Sequence, residues 1–294
     1  MNFLTRILRR SFFSFVRRMS DGFQSQVADA LLWERFRIEE TLRQRAARRL
    51  GVQGLEDFIG FDGTRLSRSI LEPDRPWANL PYDECETPGM LAEDEKRYYG
   101  YITKFYTGAG AAVEIGTWLG LSTYYLVTSL RKNPHFKGPL HCFDDYVWRG
   151  SSMSKWLAKT PYDAPGNHES FQPLFERFAQ ANGIDSSIEV HRAKLSHFEG
   201  NVSVPQFAWT GGPIELCVVD CGRTLEVNEA WYKAAVNSFL PGKTLIVMQD
   251  WQAHKAVPPL FWENTKLFTD RQLDSLELIH ELPGAMAATF LYRG

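Results

Sequence analysis

Seven short apolar runs spaced along the last two thirds of the chain constrain its fold more than any other feature. Ala111 to Ile115, Pro139 to Phe143, Ile188 to His191, Ile214 to Val219 and Thr244 to Met248 are each followed by a helical or long connecting segment before the next run. Strands joined by such crossovers pair in parallel, with right-handed connections and helices on both faces of the sheet. The last two runs, Leu276 to Leu282 and Met286 to Tyr292, are linked only by Pro283, Gly284 and Ala285. A link that short cannot cross over, so these two strands must be antiparallel. The expectation is an α/β domain with a seven-stranded, mostly parallel sheet whose last strand is antiparallel.

Upstream of the sheet the pattern is different. Residues 1 to 20 carry Arg6, Arg9, Arg10, Arg17 and Arg18 and no acid, with apolar residues near helical spacing. This reads as a basic amphipathic helix, suited to peripheral contact with an anionic membrane, to an organellar presequence, or to packing on its own protein. Val27 to Leu42 repeat at helical spacing, and Gly51 follows Leu50 as a stop. A Pro-, Asp- and Gly-rich stretch from Phe58 to Pro88 then marks the expected boundary. The predicted division is an N-terminal helical region with linker over 1–85 and a catalytic-type domain over 86–294.

Charge and cysteine content limit the partners. With 33 Lys and Arg against 35 Asp and Glu, the 294-residue chain has a formal net charge of −2, which gives no overall field for nucleic acid. No run of about 18 uncharged apolar residues occurs, so no spanning helix is expected. Cys85, Cys142, Cys217 and Cys221 form no C-x-x-C pair, and a reducing, cytoplasmic setting is expected.

The stretch Glu114-Ile-Gly116-Thr117-Trp118-Leu-Gly120-Leu-Ser122 carries the most chemistry. It closes an apolar strand and opens a helix, and ligands of open α/β sheets bind at the carboxyl ends of the strands. Its glycines are four apart with an acid two before the first, which is not the G-x-G-x-x-G of nicotinamide-binding sheets. Over roughly Glu93 to Gly294 the chain resembles the class I S-adenosylmethionine-dependent methyltransferases, above all their small-molecule and sugar O-methyltransferase members. The resemblance implies a Rossmann-like fold and S-adenosylmethionine as cofactor, with Glu114, Gly116, Thr117, Trp118, Gly120 and Ser122 in its first contact motif. It also implies that an acid after the second strand grips the ribose hydroxyls. Asp144 is the first choice and Asp145 the reserve, since a carboxylate accepts two bonds side by side. Further strand ends supply Asp220, and Asp250 within Gln249-Asp250-Trp251. The Leu240-Pro241-Gly242 turn and the closing hairpin fit the same family.

Departures from the family pattern are equally specific. After the third strand stands His191-Arg-Ala-Lys194-Leu-Ser196, so adenine contacts fall to backbone groups or Ser196. No histidine follows Asp220 where sugar-modifying relatives carry one, which leaves His254, Asp250 and Asp220 as candidate catalytic groups, a proton acceptor among them. Asp220, Asp250 and the Gln249 carbonyl form an incomplete ligand set for a divalent metal, and no metal is expected. None of the other histidines has the spacing of a zinc site, and they are expected to be structural. The long connection from Tyr146 to His168 reads as a lid or acceptor loop, with Trp148, Trp156 and Trp251 as candidate stacking surfaces. The function expected is methyl transfer to a hydroxyl of a small molecule or saccharide. The alternatives are a methyltransferase-like scaffold that binds cofactor without turnover and, more weakly, a nicotinamide-dependent oxidoreductase.

Overall fold

The computed structural model describes residues 15, 18–20, 55–69, 75–158, 160–195, 203–253 and 259–294. The two N-terminal helices expected from the sequence therefore fall almost wholly outside the described residues, and so do Ser196 and His254.

Seven strands form one sheet: β1 (Ala111–Ile115), β2 (Leu140–Asp144), β3 (Ile188–Arg192), β4 (Ile214–Val219), β5 (Leu245–Met248), β6 (Leu276–Glu281) and β7 (Ala288–Tyr292). Their order is β3-β2-β1-β4-β5-β7-β6. The first five pair in parallel. Strand β7 runs antiparallel between β5 and β6, because the short link after β6 can only turn the chain back. This is the Rossmann-like arrangement expected.

Period-2 alternation divides the strand residues between two cores. Ala112, Leu140, Cys142, Leu216, Val218, Leu245 and Val247 face one side, with Tyr99 and Ile102 of α1 (Glu93–Ile102), Leu126 and Leu130 of α2 (Leu121–Leu130) and Phe175 of α4 (Gln172–Ala181). Val113, Ile115, Cys217, Val219, Ile246 and Met248 face the other, against Trp231 of α5 (Leu225–Ala235) and Phe268 of α6 (Pro259–Arg271). A further helix, α3 (Gly150–Leu157), lies in the connection between β2 and α4. Among the described residues no helix is long and apolar enough to cross a membrane.

The helix starts follow local chemistry. Helix α1 opens with Glu93, Asp94 and Glu95, whose charges suit the positive end of the helix dipole, and Glu95 Oε2 accepts the Ala92 N–H at 2.7 Å. At α5, Thr224 Oγ1 accepts the Val227 N–H at 3.2 Å.

The Pro- and Gly-rich stretch before residue 86 is more than a linker. Trp77 is fully buried, edge-on to Tyr98 at 4.8 Å and to His280 at 5.1 Å, and Leu66 joins the same core. The Ser69 N–H donates to the Ile279 carbonyl at 3.2 Å, so this segment also shields the outer edge of β6. Packing of the sheet domain thus begins well before residue 86.

Candidate active site

Two adjoining cavities open where the parallel strands end. The larger, about 520 Å³, is bordered by Gly116, Phe143, Asp144, Asp145, Trp156, Ala193, Phe207 and Cys221, among others. The smaller, about 330 Å³, is bordered by Glu95, Thr117, Ser122, Gln249 and Asp250 with the turn Gly284 to Met286. Met90, Trp118, Asp220 and Arg223 border both. This is the strand edge at which α/β sheets bind ligands.

The β1 turn is shaped by backbone constraints. Gly116 has φ +88°, and a Cβ there would lie 2.7 Å from the Asp220 carbonyl oxygen, so only glycine lets β1 and β4 end side by side. Gly120, at φ +93°, faces protein rather than ligand: a Cβ would sit 3.0 Å from the Phe175 ring, and the residue borders neither cavity. Its role is the left-handed entry to α2. Trp118, at φ +42°, adopts the same region without being glycine, as does Tyr146 at φ +53°.

Asp144 holds both of these left-handed residues. Its Oδ2 accepts the N–H groups of Thr117 and Trp118 at 3.0 Å each, and its Oδ1 accepts the Tyr146 N–H at 2.8 Å. Burial and then the neighbouring Asp145 push its carboxyl up to about 6, against the backbone bonds. With three donors already on its oxygens, Asp144 lacks the pair of open positions that the expected ribose grip requires. Asp145 is bound by Val147 N–H at 2.9 Å and by a two-pronged contact from Arg149 at 3.1 and 2.5 Å. Asp145 borders the larger cavity.

Glu114 departs most from its expected role. It is fully buried, accepts Ser122 Oγ at 2.5 Å and Thr123 Oγ1 at 2.6 Å, and borders neither cavity. Burial raises its carboxyl to about 7. It ties β1 to the first turn of α2 and acts on the site through the turn between them and through its charge, which adds to the upward shift of Asp220. Ser122 borders the smaller cavity, with its hydroxyl committed to Glu114.

An acidic group lies at the boundary between the cavities. Burial, then Asp250, push Asp220 well above the ordinary carboxylate range, while Arg223 opposes them. Arg223 Nε donates to Asp250 Oδ2 at 2.6 Å. Burial also raises Glu95, to about 7. Sequence reasoning missed Glu95 and Arg223 because neither lies in a strand-end motif; the acid-rich opening of α1 was the only signal for Glu95.

The divalent-metal reading does not fit this geometry. A guanidinium already neutralises Asp250, and Gln249 Oε1 accepts the Tyr99 hydroxyl at 2.8 Å, so two of the three oxygen donors are engaged. Two of the proposed stacking surfaces are core residues. Trp148 is buried against Phe171, and Trp251 against Phe290 with its N–H on Thr269. Trp156 alone of the three borders the larger cavity, edge-on to Trp118 at 6.1 Å.

Residues 113–251 match the family model described as a methyltransferase domain. Residues 113–251, just under half of the chain, are thus similar to a methyltransferase domain. The match begins in β1 and ends just after Asp250, so it spans the parallel strands and every acid of their ends. No curated protein sequence matches the chain. Among solved structures, the O-methyltransferase TomG from Streptomyces achromogenes in complex with SAM is similar at 15% identity, over 70% of this chain and 82% of that one, with a TM-score of 0.44. The O-methyltransferase NovP is similar at 12% identity over 68% and 80%, with a TM-score of 0.47. An O-methyltransferase from Bacillus cereus in complex with SAH is similar at 13% identity over 74% and 86%, with a TM-score of 0.42.

Proposed function

We propose that this domain transfers a methyl group from S-adenosylmethionine to a hydroxyl of a small molecule or saccharide. The larger cavity suits the cofactor. It is lined by Phe143 and Phe207, aromatic walls for a planar base, by Asp145, a carboxylate for a diol, and by Gly116. Trp118 adds a buried indole N–H that meets no acceptor among the described residues, a donor that a polar ligand can satisfy. When bound, S-adenosylmethionine supplies an electrophilic methyl group on a sulfonium.

The observation that carries the reading is the position of Asp220. It borders both cavities, so an acceptor in the smaller one and a cofactor in the larger one meet at its carboxylate. Raised above its usual range, that carboxylate is a stronger base than an exposed aspartate and takes the hydroxyl proton as the acceptor oxygen attacks. Arg223 keeps the charged form of Asp220 accessible, and its bond to Asp250 fixes the guanidinium at the boundary. The protein's remaining contribution is alignment of acceptor and methyl donor. His254, beyond the described residues, stays a rival for the base.

The test has two stages. Isothermal titration with S-adenosylmethionine and its demethylated product must show binding, and its absence sinks the proposal. Incubation with an acceptor panel, followed by mass spectrometry, must then show a product heavier by one methylene. Asp220→Asn is expected to lower turnover by about 10²- to 10⁴-fold with cofactor affinity retained. Binding without transfer across the panel would favour the scaffold reading instead.

A further inference from the structure

Parallel pairing of β2 with β3 sets His141 beside Glu189 and Phe143 beside His191. Alternation then turns His141, Glu189 and His191 to one face of the sheet edge, on the side away from α2. His141 Nδ1 lies 3.1 Å from His191 Nε2, and Glu189 places one oxygen 3.4 Å from each nitrogen, Oε2 from His141 Nδ1 and Oε1 from His191 Nε2. Two ligands about 2.0–2.1 Å from a tetrahedral ion are separated by about 3.3 Å, so each of these three separations matches that between two ligands of one tetrahedral ion. The side chains are 21%, 53% and 29% exposed in chain order, which leaves the fourth corner open to water.

We infer that His141, His191 and Glu189 form a binding site for a borderline divalent transition-metal ion of the zinc type. Two imidazole nitrogens and one carboxylate oxygen, with water completing the set, suit zinc, and they lack the oxygen count that magnesium or calcium requires. The rings are already oriented. His191 stacks on Phe143 with centroids 4.4 Å apart and planes 13° apart, and His141 meets the Trp209 ring edge-on at 5.1 Å. Holding both nitrogens in place before binding reduces the ordering cost of capturing an ion.

The site bears on the larger cavity through two connections. Phe143 presents one face to His191 and is itself a cavity wall, and Ala193 to Leu195, directly after β3, line the same cavity. A bound ion would fasten the edge strand to β2 and steady that wall. The inference stands independently of the proposed methyl transfer, because it uses no residue assigned to that chemistry. Spacing along the chain could not reveal it: His141 and His191 are 50 residues apart and meet only through strand register.

The experiment is titration of the full chain, thiols kept reduced, with Zn²⁺ by calorimetry and with Co²⁺ by visible absorption. One equivalent should bind, with the intense visible bands of four-coordinate cobalt. His141→Asn, His191→Asn and the exposed Glu189→Gln should each weaken binding at least about tenfold, the smaller end of the loss caused by removing even an outer-shell partner. Zn²⁺ should also raise the thermal midpoint of the parent chain and not that of the His141→Asn/His191→Asn double variant, whose metal-free midpoint checks its folding. Affinity weaker than ~100 µM, or binding that survives the double variant and so belongs to the cysteines, overturns the inference.

Discussion

Replacing Glu114 by glutamine tests whether this acid belongs to the scaffold or to the ligand site. In the folded chain its carboxyl titrates near about 7 against an ordinary 4.5, because burial disfavours the charge more than the Ser122 and Thr123 hydroxyls restore it. At about 1.4 kcal/mol per tenfold change in proton affinity, ionising it in place costs the fold about 3 kcal/mol. The folded state binds this proton more tightly than the unfolded chain does. Its contribution is therefore complete below pH 4.5, declines as pH rises through about 7, and is absent above that.

A glutamine at 114 stays neutral and can still donate to one hydroxyl and accept from the other. At pH 8 the variant should accordingly exceed the parent in stability by roughly 1–3 kcal/mol, and near pH 5 the two should match within about 1 kcal/mol. Urea unfolding of both proteins at pH 5, 6, 7 and 8 measures this directly. Glu95, also raised by burial, titrates in both proteins and cancels in the comparison, whereas Asp144, whose charge helps to raise Glu114, contributes a smaller part of the difference. A difference between parent and variant that does not change with pH, or a variant less stable at pH 8, refutes the reasoning. Because Glu114 borders neither cavity, affinity for the demethylated cofactor should stay within roughly threefold.

Other changes probe the remaining assignments. Asp144→Ala removes the acceptor of three backbone N–H groups and should cost about 2–4 kcal/mol in urea unfolding, with cofactor affinity lowered because the Thr117–Trp118 turn loses its tether. Trp77→Ala empties a fully buried site and should cost about 3–5 kcal/mol; an effect near zero would return residues 75–85 to linker status. Arg223→Met withdraws the positive charge that opposes the upward shift of Asp220, so the acid-side limb of the pH–rate profile should move to higher pH. An unmoved limb would take Asp220 out of the base role.

The fold was legible because its two strongest signals are topological. Long crossovers impose parallel pairing, and the six residues between β6 and β7 impose the antiparallel pair, so the strand directions needed little beyond apolar periodicity, whereas the order across the sheet came from the structure. Burial at the domain's start was less visible. Trp77 sits among Pro, Asp and Arg, a composition that reads as loop, and its neighbours Tyr98 and His280 are distant in sequence. Loop composition reports backbone irregularity, which is compatible with a buried ring.

The strand-end acids show where sequence reading of the site succeeds and where it stops. Asp220 lies one residue past β4 and Asp250 two past β5, beyond the last ladder pairs, and both border a cavity. Asp144 is the final paired residue of β2, opposite Arg192, and its carboxylate is divided between the cavity edge and the loops it ties down. Glu114 is one residue further inside, flanked by Cys142 on β2 and Val218 on β4, so its Cβ must project from the sheet face beneath α2. A shift of one residue relative to the strand tip thus changes an acid from cavity lining to buried scaffold. A motif fixes the order of residues but not where the ladder ends, and that end is set by how far the neighbouring strands extend. The same dependence on register brings His141 to His191, so the site residues hardest to read from the sequence are those defined by a neighbouring strand.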